Sequence, residues 1–502
     1  MKSNQLKLGA VLSYLSIGVN VLAALIYTPW MIAQIGKSQY GLFTLANSLI
    51  TLFLIDFGLS SATSRYVSLY RAQGNQEKVD QFLGAVYKLY LLVDALIFFA
   101  LLLVYFFIDQ IYVKLTPAEL AQFKVVYVIA ASYALISFPF VTLNGILNAY
   151  EKFIQLKLAD LIYRFLLVGL TIAALMCGFG LYGLVAINAL SGLCVIGYKL
   201  IVIRRVTPVK VNFRRTEKQT YQDIFRFSVW TTIGALAQRL IFSITPSILG
   251  ILADSSAIAV FGIVTTIEGQ CYTVITAING MFMPKISRIY AKTDTDQDIM
   301  PLMLRVGRFQ YVLNGLLIVA FAVLGRSFIN VWMGSDYQAG YYGTLLVILP
   351  NLFYFPLQIA NTALVVQNKV KLQAGITVLI GVTNVVLSLV LTYFFGMIGA
   401  CVSIFIAHTI RAVAYNIVHY KVLHLDIPYF IRKCYIRLLP PIAISIVAGI
   451  FLNRSMPWDS WTILCVKGCI VCAVYLCLVL WLGLSKSDRQ AVRQKLAAYR
   501  RK

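Results

Sequence analysis

Residues 158–205 read LADLIYRFLLVGLTIAALMCGFGLYGLVAINALSGLCVIGYKLIVIRR. Two apolar runs, 158–179 and 182–203, meet at Gly178-Phe179-Gly180-Leu181-Tyr182-Gly183. Each run reaches the length of about 20 residues that a helix needs to cross a bilayer. In hydrocarbon the backbone must satisfy its own hydrogen bonds, so such runs are helices. The glycine-rich join is too short for a linker, and the stretch predicts a transmembrane helical hairpin. A second hairpin, 372–394 with 397–420, turns at Gly396-Met397-Ile398-Gly399.

Extended outward, the same reading places spans near 8–33, 40–63, 84–107, 123–144, 158–179, 182–203, 227–252, 257–283, 309–333, 341–366, 372–394, 397–420, 437–452 and 462–483. The expected fold class is an all-α integral membrane protein with about fourteen transmembrane helices. Composition agrees. Of 502 residues, 60% are hydrophobic and 12% charged, with mean hydropathy +0.81. A soluble chain keeps roughly 25% charged residues to cover its surface. The basic start, Met1 to Lys7, leads into a long apolar run without a small-residue cleavage site, which predicts a retained first span. Eight of the nine cysteines, Cys177, Cys194, Cys271, Cys401, Cys465, Cys469, Cys472 and Cys477, fall in apolar runs without zinc spacing and read as buried free thiols, with no metal or cofactor implied.

The formal charge of +24 raises the question of nucleic acid, and the distribution answers it. With the N-terminus in the cytoplasm, and with Lys88, Lys124 and Arg437 at span ends counted with the adjoining loops, 33 of the 43 Lys and Arg fall in cytoplasmic loops and tails, four in outer loops and six inside spans. The positive-inside rule accounts for that bias and predicts cytoplasmic termini. Nucleic acid is not an expected partner.

The chain also repeats itself. Thr28-Pro29 recurs as Thr245-Pro246, Phe138-Pro139 as Phe355-Pro356, Asn144 as Asn361, Lys152 as Lys369 and Lys88 as Arg305, all at an offset of 217. Phe179-Gly180-x-x-Gly183 recurs as Phe395-Gly396-x-x-Gly399 at 216. This predicts two parallel-repeat six-helix lobes, 1–223 (with the basic tether 204–226) and 224–430, plus two C-terminal helices and a basic tail in 431–502. Parallel-repeat transporters place substrate between the halves and rock them in alternation. Pro29, Pro246, Pro139 and Pro356 each remove a helical hydrogen bond; they read as packing kinks or as hinges.

Charge at the bilayer centre costs roughly 2.5–3.5 kcal/mol, so ionisable residues inside spans are functional candidates. Arg239 and Arg411, with Arg164, are candidate substrate-binding residues, because guanidinium makes forked bonds to phosphate. Glu268, Asp56 and Asp94 are candidates for coupling to H+ or Na+. An Asp94–Arg239 ion pair is the structural alternative for those two. Arg164, Arg326 and Lys467, nearer span ends, are expected to snorkel, and His408 to be a packing group.

Residues 41–66, GLFTLANSLITLFLIDFGLSSATSRY, carry Asp56-Phe57-Gly58-Leu59-Ser60 with Arg65. Gly58 and Arg65 are the motif positions, preceded by Gly36-x-x-x-Tyr40-Gly41-Leu42-Phe43 and followed by Asn148-Ala149-x-x-Lys152. The pattern, with the 12+2 spans, resembles the polysaccharide-transport branch (Wzx, O-antigen flippases) of the multidrug/oligosaccharidyl-lipid/polysaccharide (MOP) superfamily. The resemblance implies a flippase for undecaprenyl-pyrophosphate-linked oligosaccharide in a bacterial cytoplasmic membrane. It further implies a polyprenyl-pyrophosphate-linked glycan and polysaccharide assembly proteins as partners; a monomer is expected because two lobes complete a pathway. Relatives that flip lipid II carry several arginines in their first two spans, whereas here only Arg65 lies there. The alternatives are a cation-coupled multidrug exporter of the same superfamily and a membrane glycan polymerase or glycosyltransferase. The short outer loops, the longest being 108–122, and the absence of a phosphate cradle in 204–226 weigh against an enzyme.

Overall fold

Gly180 and Gly396, aligned by the repeat, both adopt φ +55°. A side chain disfavours that left-handed conformation, so glycine here lets one apolar helix end and the next begin within a few residues. The computed structural model describes residues 18, 21, 24–213, 218–276, 282–291, 296–367, 369–456 and 460–483. Helices Phe153–Met176 and Gly180–Val206 flank the first turn. The second turn interrupts Val370–Val422 at Gly396. A Cβ added at Gly399 would lie 2.0 Å from the Leu391 carbonyl oxygen, so the chain doubles back there.

The protein is an all-α membrane protein. Among the described residues there is no strand, and 11 helices are long and apolar enough to cross a bilayer. The Gly396 break makes two spans of one of them. Expected span one is represented by the apolar helix Ala24–Ile35; the rest of 8–23, apart from Gly18 and Val21, lies outside the described residues. So do Arg214 and Arg215 of the tether and the basic tail beyond Gly483.

Expected span two needs correction: it is not one helix but two, Lys37–Phe53 and Leu59–Ala72. Phe57 and Gly58 take φ +50° and +67° in succession, which no α-helix tolerates. Asp56 organises the restart. Its carbonyl accepts from the Leu59 N–H at 3.0 Å, and both carboxylate oxygens accept from the Ser60 N–H at 3.3 Å. The Tyr90 hydroxyl donates to the same carboxylate. Gly58 is needed twice over, since an added Cβ would also lie 2.3 Å from Thr231 Oγ1.

Packing divides the chain into one unit of residues 1–262 with 370–400 and another of 263–369 with 401–502. These units and the repeat halves are different divisions, the first set by contact and the second by sequence likeness. The first unit shows why segment 370–400 belongs to it. Helix Lys218–Phe242 stops, and Thr245–Leu252 restarts with Pro246 in its first turn. The last carbonyls of the stopped helix need outside donors. Asn384, 0% exposed, supplies its amide to Leu240 O at 3.0 Å and Ile241 O at 3.1 Å. The Thr245 hydroxyl donates to Ile241 O at 2.8 Å. Gly381 permits the approach: a Cβ there would lie 2.7 Å from Ala237 O.

In the second unit the expected appendage, spans thirteen and fourteen, packs against Met300–Met333 as Arg437–Ser455 and Trp461–Leu478. Small residues set the spacing, as they do where membrane helices cross closely. A Cβ at Gly315 would lie 2.5 Å from the Tyr475 hydroxyl, and one at Gly449 2.3 Å from Val323. The Tyr475 hydroxyl donates to Val312 O at 3.0 Å.

The repeat is visible in local geometry. Pro139 lies in the 3-10 turn Phe138–Val141 and Pro356 in the 3-10 turn Phe355–Leu357, each interrupting a span. Pro29 lies inside Ala24–Ile35. Lys152 and Lys369 each precede a helix with φ −88°. Cys401 is buried as expected, and Cys434 is buried too, but Cys177, Cys194, Cys465, Cys469 and Cys477 are exposed along the apolar spans.

Candidate functional site

Three helical segments of the second unit converge on a buried polar assembly. Glu268 comes from Ser255–Thr276, Asn351 from the short helix Asn351–Tyr354, and Arg411 from Val370–Val422. Glu268 and Arg411 are each 7% exposed and Asn351 3%. The Asn351 amide nitrogen donates to Glu268 Oε1 at 3.4 Å, while its oxygen accepts from Arg411 Nη2 at 3.1 Å. The amide therefore bridges carboxylate and guanidinium. Arg411 lies over Tyr354, its Cζ 3.8 Å from the ring centroid, a cation–π contact that orients the guanidinium. Its Nε finds no hydrogen-bond partner. Unspent donors on a buried, ring-oriented guanidinium suit an incoming anion. His408 lies one turn before Arg411 and is 1% exposed, consistent with a packing role.

The other candidates belong to the first unit, and the structure disperses them. Asp56 is occupied at the helix break. Asp94 lines an apolar hollow with Tyr87, Leu135 and Pro139, and its buried Oδ1 has no hydrogen-bond partner. Arg239 is half-buried one turn before the Pro246 break, and the alternative Asp94–Arg239 ion pair is not formed. Arg164 lines a cavity together with Lys199. Arg65 is exposed, with its Cζ 5.8 Å from the Tyr66 ring centroid. Arg326 is exposed, as snorkelling requires, but Lys467 is 2% exposed and buried among the helices instead.

Sequence reasoning missed Asn351 and Tyr354, neutral residues that leave no mark in an apolar run. It also missed a clasp in the first unit. The Ser38 and Ser255 hydroxyls both donate to Glu119 Oε1, each at 2.5 Å, and stand 3.2 Å from each other. Their separation in sequence is 217, the repeat offset, so the repeat itself pointed to the pair. Backbone approaches tightly alongside, since a Cβ at Gly41 would lie 2.1 Å from Ser255 O.

Residues 6–290 match the family described as polysaccharide biosynthesis protein, more than half of the chain. The chain belongs to that family. Among the family's kind of protein it is similar to the uncharacterized membrane protein EpsK of Bacillus subtilis (strain 168), with 21% identity over 493 residues and 93% of each chain covered. In fold it is similar to the lipid II flippase MurJ in an inward closed conformation, with TM-score 0.72, 14% identity, and 93% of this chain and 97% of that one covered. It is also similar to an inward-facing multidrug resistance MATE family transporter of the MOP superfamily, with TM-score 0.69, 13% identity, and coverage of 84% and 96%. At such identities the likeness is one of architecture: this member of the polysaccharide biosynthesis family has the fold of MOP-superfamily transporters.

Proposed function

We propose that this protein is a flippase that moves an undecaprenyl-pyrophosphate-linked oligosaccharide across the bacterial cytoplasmic membrane by alternating access, as a monomer driven by an H+ or Na+ gradient. The observation that supports it most is the Glu268–Asn351–Arg411 assembly. A guanidinium held on an aromatic face with donors to spare suits a pyrophosphate, and charge-assisted bonds to it are among the stronger ones a protein makes. Glu268 is one amide away. A cation on Glu268 weakens its hold on Asn351, loosens the amide from Arg411 and leaves the guanidinium freer for an anion. Cation and anion then favour each other, and by linkage the effect is reciprocal.

The charge bias of the loops supports cytoplasmic termini. The repeat halves 1–223 and 224–430 are proposed to rock as lobes, with the prolines as hinges. The lack of arginines in span one argues for a glycan-carrying lipid other than lipid II. Deleting the gene in its host tests the reading. Loss of surface polymer with accumulation of a complete lipid-linked repeat unit is expected; unchanged glycan and lipid pools, with altered sensitivity to cationic drugs, would replace the flippase by a multidrug exporter.

A further inference from the structure

The second unit contains a pocket of about 740 Å³ where helix Val370–Val422 ends, next to Asp296–Ile299 and Ile427–Phe430. That volume falls within the range of small-molecule sites, about 300–1,000 Å³. Its wall carries Lys421, His424 and Asp426 together with Gln297 and Tyr420. Local hydrogen bonds fix the backbone there. The Leu425 N–H donates to His419 O at 3.1 Å, closing the helix in a turn that leaves His424 at φ +46°. Glycine usually fills such a position. The Gln297 side-chain amide donates to the His424 carbonyl. Asp426 caps Ile427–Phe430, its Oδ1 accepting from the Tyr429 N–H at 3.0 Å, which leaves Oδ2 to the pocket. Lys421, His424 and Asp426 are all exposed, and among the described residues none of them forms an ion pair.

Both signs of charge therefore stand open in one wall. A bare phosphate would meet the Asp426 carboxylate, and a simple cation would meet Lys421. A ligand that carries an anion and a cation a few bonds apart satisfies both. Depth identifies its source. Exposed Trp461 lies against Phe328, with ring centroids 6.3 Å apart, near the far end of Met300–Met333. From Phe328 back to Met300 the helix runs roughly 42 Å at about 1.5 Å per residue. A bilayer with its headgroups is about 40–45 Å thick. Gln297 comes just before Met300 in sequence, so the pocket lies at the membrane surface opposite Trp461. Exposed Tyr420 and Tyr429 stand there, as aromatic residues do at membrane interfaces. That surface is cytoplasmic in the proposed orientation.

We propose that this pocket binds the phosphoethanolamine head of an inner-leaflet phospholipid, with its phosphate on Lys421 and the His424 imidazole and its ammonium on Asp426. A primary ammonium suits Asp426 because its N–H groups make charge-assisted bonds to a carboxylate, which a quaternary ammonium has no N–H to make. The ring of Tyr420 offers the same cation an aromatic face. The site goes beyond the flippase reading and does not depend on it.

The test uses the full-length protein in detergent micelles and native mass spectrometry, with phosphatidylethanolamine, phosphatidylglycerol, phosphatidylcholine and soluble O-phosphoethanolamine as probes. Phosphatidylethanolamine should bind at least about tenfold more tightly than either other lipid, the effect of one charge-assisted hydrogen bond. Asp426→Asn keeps a capping side chain and should abolish the preference over phosphatidylglycerol. Lys421→Met with His424→Gly, the second of which suits the positive φ, should weaken phosphatidylethanolamine at least about tenfold. Asp109→Asn, which does not touch the pocket wall, should change neither. Equal binding of the three lipids by the unaltered protein, or a preference that survives Asp426→Asn, overturns the proposal. Soluble O-phosphoethanolamine that binds as tightly as the lipid overturns the lipid as the source. A second measurement leaves the charges intact. Benzoylphenylalanine in place of Tyr420 should capture phosphatidylethanolamine in preference to phosphatidylglycerol. In place of Tyr393, exposed and outside the pocket, it should show no preference. Equal capture of the two lipids at Tyr420 overturns the proposal.

Discussion

Replacing Glu119 by Gln should release the clasp between Ser38 and Ser255 without disturbing the helix that carries it. Glu119 is the third residue of Pro117–Ser137 and completes a capping box with Thr116, a role glutamine also fills. What changes is the acceptor. Hydrogen bonds to a charged group contribute about 1.5–3 kcal/mol and neutral ones about 0.5–1.5, a difference of about 1 kcal/mol for each serine. Glu119 is partly exposed, so solvent screening reduces the pair to about 1–2 kcal/mol. Such a change shifts a two-state population by a factor of about 5–30. The starts of Lys37–Phe53 and Ser255–Thr276 must part if the repeats alternate, and Ala259, 0% exposed on the second of these helices, would report it. In a background without native cysteines, Ala259→Cys should react with a membrane-impermeant maleimide about 5–30 times faster when Glu119→Gln is present. Ser38→Ala with Ser255→Ala should do the same. Labelling rates within twofold of the clasped protein in both cases would refute the clasp as a restraint on opening.

Arg411→Lys should reduce transport at least tenfold, measured as lipid-linked oligosaccharide translocated in proteoliposomes, because an ammonium keeps the charge but loses the planar face on Tyr354 and the forked donors. Glu268→Gln and Arg411→Gln should couple in a double-mutant cycle by about 0.5–3 kcal/mol of thermal stability, since Asn351 ties them into one network; additive effects would mean that the bridge carries nothing. Gly58→Ala should destabilise the protein by at least about 1–2 kcal/mol from the left-handed backbone alone, read as a lower melting temperature in detergent. Adding Thr231→Ala should recover only the part due to the clash with Thr231 Oγ1, and full recovery would show that φ at this position is not strained.

How far the sequence discloses the molecule depends on which physical quantity marks the chain. The hairpins were legible because glycine at positive φ replaces an apolar side chain where one would otherwise stand, as at Gly180 and Gly396. The break in span two was not, although Asp56-Phe57-Gly58 stood out as a motif. Hydropathy measures transfer to lipid and is blind to dihedral angles, so a helix interrupted inside an apolar run looks continuous. Asp56 was read from its charge as an ion-coupling candidate, and its part in the break, accepting from the Ser60 N–H and from Tyr90, left no mark in hydropathy. Lys467 shows the same limit for direction. Position near a span end predicts a side chain reaching for water, but only packing decides which way it points.

Glu268 and Arg411 were legible individually because isolated charge in an apolar run is expensive, and the amide that joins them was invisible because it is cheap. Of the candidate charges, Glu268 and Arg411 are brought together, through Asn351. In the first unit Asp56, Asp94, Arg164 and Arg239 each sit beside a different irregularity: the span-two break, the Pro139 turn, the Lys199 cavity and the Pro246 break. Three of these four are interruptions of helical hydrogen bonding, where freed backbone groups already demand polar partners. A charged side chain costs less there than in a continuous helix, so depth alone overstates the case that such a residue handles substrate. Glu268 and Arg411 escape this discount. Their side chains meet through the Asn351 side chain, so a broken helix does not account for the cost of placing them in the membrane.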